Sequence, residues 1–224
     1  IVASSGFINM FSVGIPFYAY SVFFIHLQNE FNAGRFLISS TLSIMIISGG
    51  VFAPICGQLV DKFSLKNILT IGTLIFGTGL IMLGFSQSYY QFVIIFGSIV
   101  ALGMTLFGNL TTAKLISNWF KNKIGSAIGY AALGISLSGV FIPPITVLLI
   151  SHYGWRTTYI IFGVFIILFF VPFCRYFIVN KPSDINQSID NEKLGEKIDS
   201  NLSYRVMNIL DIKINFLINF FNKR

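Results

Sequence analysis

Residues 67–113 read NILTIGTLIFGTGLIMLGFSQSYYQFVIIFGSIVALGMTLFGNLTTA, without one charged side chain between Lys66 and Lys114. A helix that crosses a bilayer needs about 20 apolar residues, so this stretch must hold two. Ser86-Gln87-Ser88 supplies the turn between them. A run this continuous excludes an outer-membrane barrel, whose strands alternate in short segments.

The rest of the chain follows the same grammar. Further uncharged stretches cover residues 1–28, 36–60, 124–155 and 157–174. Of the 224 residues, 54% are hydrophobic, 25 are Phe and only 10% are charged, where a soluble domain carries roughly 25% charge. Mean hydropathy is +0.78. The expected fold class is an all-α membrane protein with six transmembrane helices at about 2–27, 36–60, 68–85, 91–117, 125–150 and 157–179. Three units follow: a bundle over 1–179, a polar linker over 180–202, and an apolar segment over 203–224. Ile1 already lies within an apolar run, which suggests that a short leader precedes it. Residues 1–27 are too long, and too polar at Asn9, Ser12, Tyr18 and Tyr20, for a signal-peptide core.

Lys and Arg in short loops set orientation. Lys62 and Lys66 follow helix 2, Lys114, Lys121 and Lys123 surround the turn after helix 4, and Arg175 and Lys181 follow helix 6. The other side has only Arg35 and Arg156. Both termini are therefore expected in the cytoplasm. The net charge of +7 is explained by topology, with no basic face left to suggest nucleic acid. Cys56 and Cys174 form no metal-ligand spacing and read as small apolar fillers. His26 and His152 read as interfacial.

The turn after helix 2 reads Gly57-Gln58-Leu59-Val60-Asp61-Lys62-Phe63-Ser64-Leu65-Lys66. Gly57 permits a neighbouring helix to approach closely. Asp61 can accept hydrogen bonds from a helix N-terminus or pair with a cation. Such a contact acts as a latch if one conformation makes it and another breaks it; solvated loop charges that set topology are the alternative. The segment resembles the cytoplasmic signature of the major facilitator superfamily, which Gly57, Asp61, Lys62 and Lys66 match. Ser64 and Leu65 stand where a second Gly and an Arg are usual.

A longer motif runs Trp119-Phe120-Lys121-Asn122-Lys123-Ile124-Gly125-Ser126-Ala127-Ile128-Gly129, then Gly134, Gly139, Pro143-Pro144 and Gly154-Trp155-Arg156. Trp119 and Phe120 suit an interfacial belt. Gly125, Gly129, Ala132 and Ser136 share one helix face and admit another helix. Pro143-Pro144 should bend helix 5. This stretch is similar to the monocarboxylate and oxalate/formate carriers of that superfamily, with Asn122 and Ile124 where Arg is common. Gly14-Ile15-Pro16, Val22-Phe23-Phe24, Glu30-Phe31, Arg35 and Ser39 agree with it, as does Lys181-Pro182-Ser183-Asp184-Ile185. The resemblance covers about residues 6–190.

It implies a carrier of two six-helix halves around one central site, in which one half rocks against the other. This chain corresponds to the N-terminal half and needs a second half, as continuing sequence or as a separate chain. Helices 1 and 4 would face the cavity, and helices 2 and 5 the other half. On helix 1, Asn9, Val13, Pro16 and Tyr20 share a face; on helix 4, Thr105, Gly108, Asn109 and Thr112 cluster. Asn9, Tyr20, Thr105, Asn109 and Thr112 could hydrogen-bond a small carboxylate, or they could bond locally or across helices. No Asp, Glu, Lys or Arg lies mid-membrane in the six helices, so an anion-binding cation, if the carrier uses one, is expected in the other half.

The chain lacks a phosphate loop, a metal cluster and an enzymatic side-chain set; no cofactor is implied. The expected partners are the lipid bilayer, a small organic anion and the second half. The expected function is secondary transport of a mono- or dicarboxylate by symport or antiport. A non-transporting assembly partner and a self-associating channel are the alternatives. Residues 203–224 read as an in-plane amphipathic helix, as out-of-frame sequence, or as the truncated approach to helix 7, which the carriers' long central loop favours.

Overall fold

The computed structural model describes residues 1–120 and 123–180. Lys121, Asn122, nearly all of the linker and the apolar segment 203–224 lie outside the described residues. The rest is a helical bundle. α1 spans Val2–Phe31, α2 Arg35–Lys62, α3 Leu65–Gly84 and α4 Tyr89–Trp119, and a last helical run covers Ile124–Phe177. That run turns at Gly154, whose φ of 77° and ψ of 166° belong to a region only glycine adopts freely. It therefore holds two helices, α5 (residues 124–153) and α6 (residues 155–177), and the six expected spans are all present.

Where the chain turns, local chemistry accounts for the stop. α1 ends at Asn32, which takes the left-handed conformation (φ 47°) that Asn tolerates better than most side chains. Between α3 and α4, Ser88 Oγ accepts from the Gln91 amide (3.3 Å) while Gln91 Oε1 accepts from the Gln87 amide (3.1 Å). This is a close variant of the reciprocal capping box. One expected loop is absent: α5 meets α6 at the single residue Gly154. Pro143 and Pro144 keep helical dihedrals inside α5, so the non-helical backbone of this run falls at Gly154 and not at the proline pair.

Pro16 acts differently. It sits in a π turn, Gly14–Ala19, within α1. Proline has no N–H and its ring crowds the carbonyl four residues back; one wide turn accommodates both. Similar π turns occur at Phe96–Val100 in α4 and Ile166–Phe170 in α6.

The helices cross where side chains are smallest. A Cβ on Gly134 of α5 would overlap the backbone of Gly6 in α1, and a Cβ on Gly163 of α6 would lie 2.5 Å from the Gly77 carbonyl of α3. Association in lipid rests on such close packing, because lipid tails are as apolar as leucine. The phenylalanines fill what the glycines leave. Phe7 of α1 stacks on Phe170 of α6 at 5.4 Å, and Phe23 stacks on Tyr159 at 4.0 Å. Of the spans, α3 is the most enclosed and α2 the least.

Candidate functional site

α1 and α4 meet at a polar junction. Asn9 and Thr112 are 2% and 0% exposed, and Thr112 Oγ1 donates to Asn9 Oδ1 at 3.0 Å. Beside them α4 is interrupted. Gly108 leaves helical geometry at ψ −141° and the helix restarts at Asn109. Ser12 of α1 fills the gap, and a Cβ on Gly108 would come within 3.0 Å of its hydroxyl. The restarted segment Asn109–Trp119 has no side-chain cap. Its first N–H groups therefore point back along α4 towards the middle of the bundle, with the positive end of the helix dipole.

The five pathway candidates occupy different environments. Asn109 is exposed at the interruption. Thr105 is half-buried, and its hydroxyl donates to the Ala101 carbonyl one turn back (2.8 Å). Asn9 and Thr112 bond each other across α1 and α4. Tyr20 is buried and its hydroxyl donates to the Ile38 carbonyl (2.7 Å), which ties α1 to α2. The cross-helix bonding weighed from sequence thus occurs at Asn9, Tyr20 and Thr112, while Asn109 has its side chain at the surface.

At the basic end of the bundle, Asp61 pairs with Lys114 of α4 (Nζ to Oδ1, 2.7 Å). Both side chains are largely exposed, at 63% and 44%, so the pair contributes little to stability. Sequence reasoning assigned Lys114 to topology and missed it as the partner. Its position one helix away from Asp61 is a tertiary fact with no local signal. Lys62 is exposed, and Lys66 offers its backbone N–H to Asn180 Oδ1 (3.0 Å). Trp119 Nε1 donates to the Val179 carbonyl (3.2 Å), so this residue fastens α4 to the end of α6. Phe120 packs with Ile116, Ala127 and Ala131, and Lys123 precedes the first turn of α5.

At the opposite end, Arg156 is a second tie. Nη1 donates to Glu30 Oε1 (2.7 Å) and Nη2 to the Ser86 carbonyl (3.3 Å). The guanidinium lies 4.5 Å from the centre of the Trp155 ring, within cation–π range. Trp155 itself is buried among Phe31, Phe92 and Tyr159. Arg156 thus holds α1, the α3–α4 turn and α6 together.

The signature glycines divide into two groups. Gly134 meets Gly6, and Gly139 meets the Tyr18 ring, 3.1 Å from where its Cβ would be. Gly57, Gly125 and Gly129 have no described atom within 4 Å of a built Cβ. With Ala132 and Ser136, Gly125 and Gly129 form an exposed face on α5.

An α-helical bundle of six apolar spans, with a polar interruption inside and ion pairs at its ends, is an integral, multi-pass membrane protein. The sequence profile of the Major Facilitator Superfamily matches residues 2–221, and the chain belongs to that family of transporters. It is 27% identical over 168 residues to the uncharacterized MFS-type transporter YcxA of Bacillus subtilis, covering 74% of this chain and 41% of that protein. It is 32% identical over 160 residues to monocarboxylate transporter 4 of Rattus norvegicus, covering 70% and 33%. Among solved structures, a mutant of the peptide transporter POT in complex with alafosfalin superposes with a TM-score of 0.63 at 15% identity. It covers 92% of this chain and 45% of that one, a likeness of fold. The chain thus spans less than half the length of these relatives.

Proposed function

We propose that this chain forms the N-terminal half of a secondary transporter that moves a small organic anion, a mono- or dicarboxylate, by alternating access with a second six-helix half. The observation that carries the reading is the 32% identity to a monocarboxylate transporter over 70% of the chain. The interruption at Gly108 supports it. An uncapped half-helix directed into a bundle presents N–H donors and a positive dipole end to an anion without placing an ion in the membrane.

In this reading Asn109 and Thr105 touch the substrate, and the Asn9–Thr112 and Tyr20–Ile38 bonds fix the helices that carry them. Asp61 and Lys114 form the latch at the cytoplasmic end, with Lys62 and Lys66 beside it. The open face with Gly57, Gly125 and Gly129 receives the second half. The basic end lies in the cytoplasm, as do both termini, on the Lys and Arg distribution.

The test is uptake of labelled monocarboxylates and dicarboxylates into proteoliposomes that hold this chain alone or with the second half. Uptake that requires both halves, and that Asn109→Ala weakens through KM, supports the proposal. Equal uptake by this chain alone would instead indicate a self-associating channel, and uptake of neither substrate class with both halves would overturn it.

A further inference from the structure

The chain leaves α6 across the ends of two other helices. Trp119 Nε1 and Asn118 Nδ2 of α4 donate to the carbonyls of Val179 and Asn180, at 3.2 and 3.4 Å. The Asn180 side chain then turns to α3. Its Oδ1 accepts from the Ser64 hydroxyl (3.1 Å) and from the Lys66 backbone amide (3.0 Å). Ser64 is the residue that should cap α3, yet its own hydroxyl makes no capping bond. A cap normally accepts from the second or third amide of its helix. Here a residue 114 positions further along the chain does so for Lys66.

This strap and the ion pair border one space. An open cavity of about 530 Å³ is lined by Asp61, Ser64, Lys114, Asn118 and Asn180 among others. Asp61 and Ser64 are joined by the short turn between α2 and α3, whose Phe63 and Ser64 are extended. The placement of Ser64 therefore limits where Asp61 can lie relative to Lys114.

We propose that Asn180 is a positioning residue for the latch. As the cap of α3 supplied from the end of α6, it holds the α2–α3 turn so that Asp61 faces Lys114. The proposal rests on the reading of Asp61 as the latch charge, and it extends that reading to the end of α6.

The full chain, purified in detergent, tests it by hydrogen exchange and thermal unfolding. Removing a capping acceptor weakens the first turn of a helix, so Asn180→Ala should speed exchange of the amides in residues 62–70 by about five- to tenfold. Asn180→Asp keeps the acceptor and should exchange as the parent does. Ser64→Ala, which removes one donor and leaves Asn180 in place, should raise exchange by less and serves if Asn180→Ala does not accumulate. Asn180→Ala should lower Tm, and it should slow disulfide cross-linking several-fold in a chain that carries Asp61→Cys and Lys114→Cys. Cross-linking at an unchanged rate, or exchange as fast in Asn180→Asp as in Asn180→Ala, would overturn the proposal. Transport that survives Asp61→Asn in the two-half carrier would remove the latch role of Asp61 and leave these exchange and melting results unchanged.

Discussion

Lys114 Nζ stands 2.7 Å from Asp61 Oδ1 and joins α4 to the last turn of α2 through two solvent-exposed side chains. A pair of this kind is worth about 0–1 kcal/mol. Asp61→Asn should therefore leave Tm of the chain within a few degrees of the parent while impairing carboxylate uptake by the two-half carrier. The charge-exchanged double variant, Asp61→Lys with Lys114→Asp, should recover part of that uptake. A large stability loss with unchanged transport would show that the pair serves folding alone.

The Asn9–Thr112 bond is the converse case, because both partners are buried. Thr112→Val leaves the Asn9 amide oxygen without that donor inside the bundle, at a cost of about 1–3 kcal/mol. Thermal unfolding should show the loss, and Asn9→Leu combined with Thr112→Val should cost less than the sum of the two single changes. Strict additivity would mean that the two side chains do not interact in the membrane.

Gly134 and Gly129 lie on one helix and should respond oppositely. Gly134→Val forces α5 away from Gly6, and the chain should fail to accumulate or should melt well below the parent. A Cβ at Gly129 would meet no described atom within 4 Å, so Gly129→Val should barely change melting of this chain. Its effect should appear in the two-half carrier, as weaker co-purification of the second half. Equal tolerance at both positions would contradict the helix crossing.

Gly154 carries a backbone conformation essentially confined to glycine. Gly154→Ala should destabilise by about 1–3 kcal/mol, read as a lower Tm with helical content retained.

Most of the fold was legible because lipid demands so much of a sequence. Charge-free stretches of the right length fixed the spans, and Ser86-Gln87-Ser88 marked its turn correctly. The α5–α6 corner was not legible as a single residue, since a positive φ at Gly154 leaves no mark beyond the glycine itself. Pro143-Pro144, expected to bend helix 5, keeps helical dihedrals. At the site, the polar cluster on helix 4 was visible as composition, but the interruption of α4 at Gly108 was not. Glycine is common in membrane helices, and its neighbour Ser12 comes from another helix. Lys114 and Asn180 escaped for the same reason: their partners lie on other helices, and no local pattern announces them.

The single-residue corner at Gly154 also governs how this protein meets the world beyond its basic end. Two spans joined at one residue leave no extended segment there, because Ser151–Tyr153 before Gly154 and Trp155 after it are helical. The joins at that end with any length are residues 32–34 and 85–88. A tag meant to report which side of the membrane this end occupies belongs in one of those, and the same tag at Gly154 would split a helical hairpin that must enter the bilayer as one piece.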